Sequence, residues 1–266
     1  MSTPHPFRFG VVDALHGTAA EVAATARRFE DRGFSTVLVP DTLWTPAPFS
    51  ALAAAAGGTT TLRLGTWVLS APLRRPAEVV REATTLQRLS GGRLELGVGA
   101  GRPGGERDAE ALGVEWGRAG VRVDRVERTL EAVSAAEGAP PIVIAGSGDR
   151  MLRLAARYAR TLALAAAPTA GLEEIGAIAG RARAAGPRLE LSLQVAAVGD
   201  LVPEWQRRQG LTAEAMRDAA SALSGELSRD IEALERLRET TGISYLTVPA
   251  EFADALAPLV AALTGR

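Results

Sequence analysis

The hydrophobic residues fall into short runs, separated by longer stretches in which apolar residues recur at helical spacing. The runs predict eight strands, at 7–12, 35–39, 61–72 with its outgoing loop, 93–99, 142–145, 161–164, 189–198 and 243–248. The stretches between them predict helices at 18–32, from about 49, 76–89, 118–136, from 149, 172–185, 227–240 and 251–263. Residues 199–225 follow neither pattern and predict an irregular insertion after the seventh strand.

This alternation determines the expected architecture. Short apolar strands joined by helices of this length are typical of parallel β-α-β units. Eight units predict a closed α/β barrel of the (β/α)8 or TIM type, and an open doubly wound sheet is the alternative that periodicity leaves open. With 266 residues and 47% hydrophobic content, the chain is expected to form a single domain, 1–266, around one core.

Composition removes several classes of function. A net charge of −1 without a basic tail argues against nucleic-acid binding. The absence of cysteine excludes disulfides and thiolate zinc sites, and with only His5 and His16 as imidazoles we expect no metal site. The start of the chain lacks a charged and then apolar leader, and no apolar run approaches the roughly 20 residues of a membrane span. We therefore expect a cytoplasmic protein without a membrane partner.

In a parallel barrel, functional groups lie where the strands end, which makes a candidate site readable from the sequence. The strand exits supply Asp13, His16, Asp41, Thr42, Trp67 to Ser70, Gly99 to Arg102, Gly146 to Gly148, Ala166, Ala167 and Ala197. Small residues dominate this set, which holds one aromatic and few acid–base groups. Such a composition favours a flat apolar cofactor that carries a redox step over hydrolysis or metal chemistry.

Two exits could contribute polar chemistry. The sequence Gly146-Ser147-Gly148 opens a predicted helix, where free backbone N–H groups and the helix dipole favour a phosphate. A serine N-cap explains the same residues. His16 follows the first strand and could deliver a proton, because its ordinary pKa is near 6.5, or it is a loop residue bonded to backbone or water.

The stretch 61–105 carries motifs that appear together and in register. They are Leu64-Gly-Thr66, Pro72-Leu-Arg-Arg-Pro76, Glu82-Ala-Thr-Thr-Leu86, Leu89-Ser-Gly-Gly-Arg93 and Leu96-Gly-Val-Gly-Ala-Gly101. This set resembles the luciferase-like flavin and deazaflavin oxidoreductases, and is most similar to the F420-dependent subgroup. The resemblance implies a TIM barrel, a small-molecule substrate, coenzyme F420 or alternatively FMN as cofactor, and a homodimer.

The resemblance also assigns roles to individual residues. It implies a cis peptide at Trp67–Val68 against the central ring of the cofactor, whose phosphate lies at the turn Gly146 to Gly148 and pairs with Arg122. The remaining implied cofactor contacts are Asp41, Gly99, Ala100, Gly101 and Arg102. The residues alone leave other interpretations open: Asp41 could be a loop or cap residue, Trp67 could fill the barrel, and Arg122 could be a solvated helical arginine.

Two departures from the family pattern bear on the reaction. Relatives often have Asp-His after the second strand, where this chain has Asp41-Thr42. Sugar-phosphate dehydrogenases of the family use a carboxylate at the fourth strand exit, where this chain reads Gly101-Arg102. We therefore expect reduction of a small organic acceptor by reduced F420, with Thr42 as a hydroxyl ligand and His16 as the candidate proton donor. The alternatives are an FMN-dependent monooxygenase and a barrel without catalysis that serves as a binding or dimer-forming subunit.

Overall fold

A computed structural model describes residues 5–266. The first four residues, which belong to the start that we expect to lack a leader, lie outside the described part. Its strands are β1 Arg8–Val12, β2 Thr36–Val39, β3 Arg63–Thr66, β4 Leu69–Ser70, β5 Leu94–Gly99, β6 Ile142–Ala145, β7 Thr161–Ala163, β8 Glu190–Gln194, β9 Ala197–Val198, β10 Ala222–Leu223 and β11 Ile243–Pro249. Its helices are α1 Ala19–Asp31, α2 Pro48–Gly58, α3 Pro76–Leu89, α4 Glu106–Ala111, α5 Ala119–Ser134, α6 Asp149–Tyr158, α7 Leu172–Ala185, α8 Glu204–Arg207, α9 Leu227–Thr241 and α10 Ala253–Leu263.

The main sheet closes on itself. Its strands are hydrogen-bonded in the order β3-β2-β1-β11-β8-β7-β6-β5-β4, and β3 also pairs with β5. β3 and β4 are two parts of one interrupted barrel strand, here called the third stave. The result is an eight-stranded parallel barrel with helices between the strands. The predicted (β/α)8 fold is confirmed, and the open doubly wound sheet is wrong.

The helices cover the barrel through narrow apolar faces, as the spacing predicts. In α1, Thr18 and Glu21 form a reciprocal capping box, and Val22, Ala26 and Phe29 face the core. In α3, Pro76 stands in the first turn, where its missing N–H costs no helical hydrogen bond. No helix within residues 5–266 is long and apolar enough to cross a membrane.

The base of the barrel is filled by charged side chains rather than by an apolar plug. Arg8, at the start of β1, donates to Glu190 at 2.6 Å and to Glu95 at 3.0 Å, and its guanidinium lies 3.5 Å from the ring centroid of Tyr245. Burial alone would raise the pKa of Glu190, but the hydrogen bond and the charge of Arg8 outweigh it and hold that pKa below its ordinary value. This layer closes the end of the barrel opposite the strand exits.

The strands break at two places where the sequence predicted continuous runs. The third stave is interrupted by a cis peptide between Trp67 and Val68, which confirms the bond predicted from the resemblance. The seventh predicted strand divides into β8 and β9, because the chain leaves the barrel after Gln194 to pair β9 with β10 in a separate two-stranded sheet. The predicted insertion after that strand is present, and it carries the short helix α8.

Candidate functional site

A cavity of about 440 Å3 opens at the carboxyl ends of the barrel strands. Eleven of the residues predicted for the site line it: Asp41, Thr42, Trp67, Val68, Ser70, Gly99, Ala100, Gly101, Arg102, Ala166 and Ala167. Alanines and Pro168, on the segment that follows β7, form much of the opposite wall. The exits of β2, the third stave, β5 and β7 therefore meet in one pocket, as parallel barrel geometry requires.

Val68 lies in a space that two glycines of β5 leave free. A Cβ atom added to Gly99 would meet Cγ2 of Val68 at 2.7 Å. A Cβ atom added to Gly97 would meet the carbonyl oxygen of Thr66 at 2.0 Å and Cγ1 of Val68 at 2.9 Å. Close approach of the third stave to β5 thus explains why this strand carries glycine at alternate positions.

The indole of Trp67 is directed by a hydrogen bond to the far side of the barrel. Its Nε1 donates to Oε1 of Gln194, at the end of β8, over 3.3 Å. Both side chains line the cavity. The predicted alternatives for Trp67, ring contact or simple filling of the barrel, both remain compatible with this placement.

Asp41 is held by a fixed ion pair. Its Oδ1 and Oδ2 accept from Nη2 and Nε of Arg74 at 2.7 and 2.8 Å, and Oδ2 also accepts from the backbone N–H of Ser70 at 3.0 Å. Burial lowers the pKa of Arg74, but the hydrogen bond and charge of Asp41 exceed that effect and raise it above its ordinary value. Asp41 therefore fixes the loop after the third stave and is not a free acid or base.

Arg102 is likewise paired. Its Nη2 donates to Asp108 at 2.7 Å, and its guanidinium stacks on Trp44 with 4.2 Å to the ring centroid. Its buried Nε has no hydrogen-bond partner among the described residues. Thr42, which also lines the cavity, differs from both residues because it carries no charge. Its hydroxyl lies 2.9 Å from the hydroxyl of Thr45.

The other predicted residues do not line this cavity. His16 is exposed in the loop after β1. Arg122 donates to the carbonyls of Ala100 and Gly117 at 3.2 and 2.8 Å, so that it ties the loop after β5 to α5. Its proposed pairing with a phosphate stays a prediction.

The turn Gly146 to Gly148 lies between β6 and α6, next to the cavity-lining Ala145. Gly148 is the N-cap of α6, and no side chain caps the helix. The serine N-cap alternative is therefore wrong, and the Ser147 hydroxyl is not used by the helix. Arg181 donates to the carbonyl oxygen of Ser147. The phosphate role of this turn stays a prediction.

Sequence reasoning missed several lining residues. Ser192 and Gln194 could have been found, because they alternate with Leu191 and Leu193 along β8 and so face the barrel interior. Trp205 and Gln206, on α8, gave no such signal, since the segment after β9 has no regular period. Ser70, Ser192 and Gln206 each bury a side-chain oxygen without a hydrogen-bond partner among the described residues.

The chemistry available to this pocket follows from its contents. The ionisable lining groups are Asp41 and Arg102, and each is bound to an opposite charge. In residues 5–266 no cluster of His, Cys, Asp and Glu could hold a metal ion. The site can bind a flat, largely apolar molecule and orient it by a few hydroxyl and amide groups, which is the usual composition of a cofactor pocket.

The sequence model for luciferase-like monooxygenases matches residues 2–138. The chain belongs to this family. The luciferase-like match covers the strands from β1 to β5 and the residues Asp41 to Arg102 that line the cavity.

Similarity to curated luciferase-like relatives is more distant. A phthiodiolone/phenolphthiodiolone dimycocerosates ketoreductase of Mycobacterium kansasii is 32% identical over 177 residues, which cover 57% of this chain and 47% of the relative. An uncharacterised protein of Mycobacterium bovis is 30% identical over 177 residues, covering 50% of this chain and 61% of that protein. The matches thus span about half of the lengths of these relatives.

Solved structures support the fold along 96–98% of the chain. An F420-dependent secondary alcohol dehydrogenase in complex with an F420-acetone adduct superposes with a TM-score of 0.75 and 18% identity, covering 97% of this chain and 99% of that one. The F420-dependent tetrahydromethanopterin reductase of Methanopyrus kandleri gives 0.73 and 14%, covering 98% and 99%. Monooxygenase RslO1 of Streptomyces bottropensis gives 0.70 and 18%, covering 96% and 98%. At these identities the similarity shows the luciferase-like barrel alone.

Proposed function

We propose that this luciferase-like protein is an F420-dependent oxidoreductase that reduces a small organic acceptor at the carboxyl end of its barrel. One observation carries the proposal: the cavity combines an apolar wall with polar groups that are fixed or neutral, and its charged residues are all paired. A pocket of this kind positions reactants but does not itself supply acid, base or nucleophile. The redox chemistry must then come from a bound cofactor.

The residues present fit a tricyclic deazaflavin. Because Gly97 and Gly99 carry no side chains, the Thr66 carbonyl and the Val68 side chain pack directly on β5, and Val68 is the side chain that this wall presents to a planar ring. A volume of about 440 Å3 lies within the range of ligand pockets. In the proposal Trp67 and Val68 contact the ring, Gly99 to Arg102 border it, and the turn at Ser147 takes the phosphate.

Reduced F420 supplies a hydride when bound, and with a proton from water this converts a C=O group to CH–OH. The chain's own contribution is position. Trp67, fixed through Gln194, defines where a planar ring can lie, and the Asp41–Arg74 pair fixes the neighbouring loop. In the proposal the hydroxyl of Thr42, which accepts from or donates to that of Thr45 at 2.9 Å, hydrogen-bonds an oxygen of the bound ligand.

Two relatives support a carbonyl or alcohol as the acceptor class. One is named a ketoreductase, and one neighbour is named an F420-dependent secondary alcohol dehydrogenase. The other family chemistry is represented as well, since RslO1 is named a monooxygenase, and an FMN-dependent monooxygenase is our second candidate. A barrel without catalysis, acting as a binding or dimer-forming subunit, is the third. The homodimer and the cytoplasmic location stay predictions.

The test is a turnover assay in which reduced F420, protein and a ketone such as acetone or cyclohexanone are mixed, and reoxidation of F420 is followed by absorbance. We expect ketone-dependent reoxidation without oxygen. Turnover with reduced FMN that requires oxygen would instead place the protein among the monooxygenases. No turnover with either cofactor would favour the non-catalytic barrel.

A further inference from the structure

The segment after β9 places one buried amide on the wall of the cavity. Gln206, in α8, is only 2% exposed and lines the pocket next to Trp205. Its Oε1 has no hydrogen-bond partner among the described residues. A buried polar group without a partner costs about 1–3 kcal/mol, so such groups are rare unless a ligand or water completes them.

The backbone around Gln206 is fixed, so this amide has a defined position. The N–H of Gln206 donates to the carbonyl of Pro203 at 2.9 Å, and its own carbonyl accepts from Gln209 and Leu211 at 2.9 and 3.1 Å. The start of α8 is bound to the barrel, since the N–H of Glu204 donates to the carboxylate of Glu251 at 3.1 Å. Because the backbone is fixed and the side chain is buried, Gln206 can select among ligands rather than adapt to each one.

The charges of the cavity restrict what Gln206 can bind. Asp41 is paired with Arg74, and Arg102 with Asp108, so neither is free to neutralise an ionised ligand. A carboxylate or ammonium placed near Gln206 would lose hydration without gaining a counter-charge, which is costly in an apolar pocket. A neutral molecule with one hydrogen-bonding group avoids that cost.

We infer that Gln206 is a specificity-determining residue: its partnerless Oε1 accepts from the hydroxyl of a neutral alcohol, its amide N–H donates to the oxygen of the corresponding carbonyl compound, and charged acceptors are excluded. Its amide offers an N–H to a carbonyl oxygen and an oxygen to a hydroxyl, so both members of a ketone–alcohol pair are accepted at one site. The inference rests on the proposed function for the identity of the reaction. Binding of the ligand by Gln206 does not depend on the proposed function.

The experiment uses three probes of one ring size: cyclohexanone, cyclohexanol and cyclohexanecarboxylate. Each is titrated into the protein, alone and with oxidised F420, and binding is followed by intrinsic tryptophan fluorescence, since Trp67 and Trp205 line the cavity. We expect the ketone and the alcohol to bind at least about tenfold more tightly than the carboxylate, because the carboxylate loses hydration in the cavity without gaining a counter-charge.

Variants assign the effect to the amide. Gln206→Leu removes it and should weaken cyclohexanone binding about tenfold, while the F420 dissociation constant stays unchanged. Gln206→Glu keeps the shape, adds a charge, and should gain binding of cyclohexylammonium. Gln209→Leu, exposed on the same segment, is the matched control and should change neither constant. Urea midpoints of all three variants verify folding.

Three results would overturn the inference. They are equal binding of carboxylate and ketone, no cyclohexanone binding with or without F420, and a Gln206→Leu variant that weakens F420 but not the ketone, which would make Gln206 a cofactor ligand. If F420 does not bind at all, the proposed function fails. The ketone titration of the cofactor-free protein then still decides the role of Gln206.

Discussion

Asp41 and Arg74 form a two-point ion pair, with Oδ1 to Nη2 at 2.7 Å and Oδ2 to Nε at 2.8 Å. The pair joins the exit of β2 to the residues before α3, and it also holds the N–H of Ser70. A residue that reads from the sequence as a candidate cofactor ligand therefore shapes one wall of the cavity.

Replacing this carboxylate tests that role. Asp41→Asn should lower the free energy of unfolding by about 1–3 kcal/mol, because it leaves the partly buried Arg74 with only the more exposed Glu82, at 3.5 Å, as a counter-charge. It should also weaken F420 binding severalfold through the displaced wall. Urea unfolding and a fluorescence titration measure the two effects. Glu78→Gln, which breaks the exposed Arg75–Glu78 pair, is the control and should change neither by much. Equal effects of the two variants would contradict this account.

Alanine substitutions at the two glycines of β5 are predicted to lower the stability by different amounts. Gly97→Ala meets the backbone oxygen of Thr66, which cannot move away easily, whereas Gly99→Ala meets only the Val68 side chain. We expect losses of stability of about 3 kcal/mol or more for the first and about 1–2 kcal/mol for the second. Gly180→Ala, in α7, meets no atom within 4 Å and should be neutral or slightly stabilising. Thermal or urea unfolding measures the stability of the three variants. A Gly97→Ala variant as stable as the wild type would refute the packing described.

The charged base of the barrel predicts a large stability effect far from the cavity. Glu190→Gln removes one of the two carboxylates around the guanidinium of Arg8 and should cost about 3 kcal/mol, as breaking a buried pair usually does. Glu204→Gln, in an exposed pair with Arg207, should cost less than about 1 kcal/mol. Urea denaturation gives the free energy of unfolding of both variants. We expect cofactor binding by the folded Glu190→Gln protein to stay unchanged, and a specific loss of binding would show that this layer reaches the site.

Glu30 predicts a pH dependence. At the end of α1 its Oε1 accepts from the N–H groups of Thr60 at 3.0 Å and Leu62 at 2.7 Å, and from that of Thr61. Burial would raise the pKa of Glu30, but these donors outweigh it and lower the pKa from 4.5 to about 2. Because the folded-state pKa is depressed, the carboxylate stabilises the fold fully above pH 4.5, and this is lost as pH falls toward about 2.

The measurement compares wild type with Glu30→Gln in urea across this range. The stability advantage of the wild type should be constant near neutral pH and shrink as the solution is acidified below pH 4.5. The comparison cancels the other titrating carboxylates. An advantage that grows on acidification would have the opposite sign and would refute the role of these hydrogen bonds.

The fold could be predicted because its information is local. The strands are short apolar runs, and β2, β5, β6 and β11 end at proline or glycine. Thr18 and Pro76 mark the helix starts that the structure shows. The motifs around Leu64 to Gly101 added what periodicity cannot give, a closed barrel and the Trp67–Val68 bond.

The misses have a common physical cause. Gln206 enters the cavity because the chain leaves the barrel after β8 and pairs β9 with β10, a tertiary event without a local signal. Glu190 was not singled out from the sequence, because its partner Arg8 lies 182 positions away along the chain. Contacts between residues distant in sequence decide both positions.

The central claim is that the cavity binds F420, and an equilibrium titration tests it most directly. F420 and FMN are titrated separately into the protein and followed by cofactor fluorescence, with Ser147→Ala as the phosphate-turn variant. Ser228→Ala, an exposed serine in the first turn of α9, is the matched control. We predict that F420 binds more tightly than FMN, that Ser147→Ala weakens F420 binding about tenfold as the loss of one hydrogen bond to a charged group would, and that Ser228→Ala has no effect. Preferential binding of FMN, or binding of neither cofactor, would contradict the account.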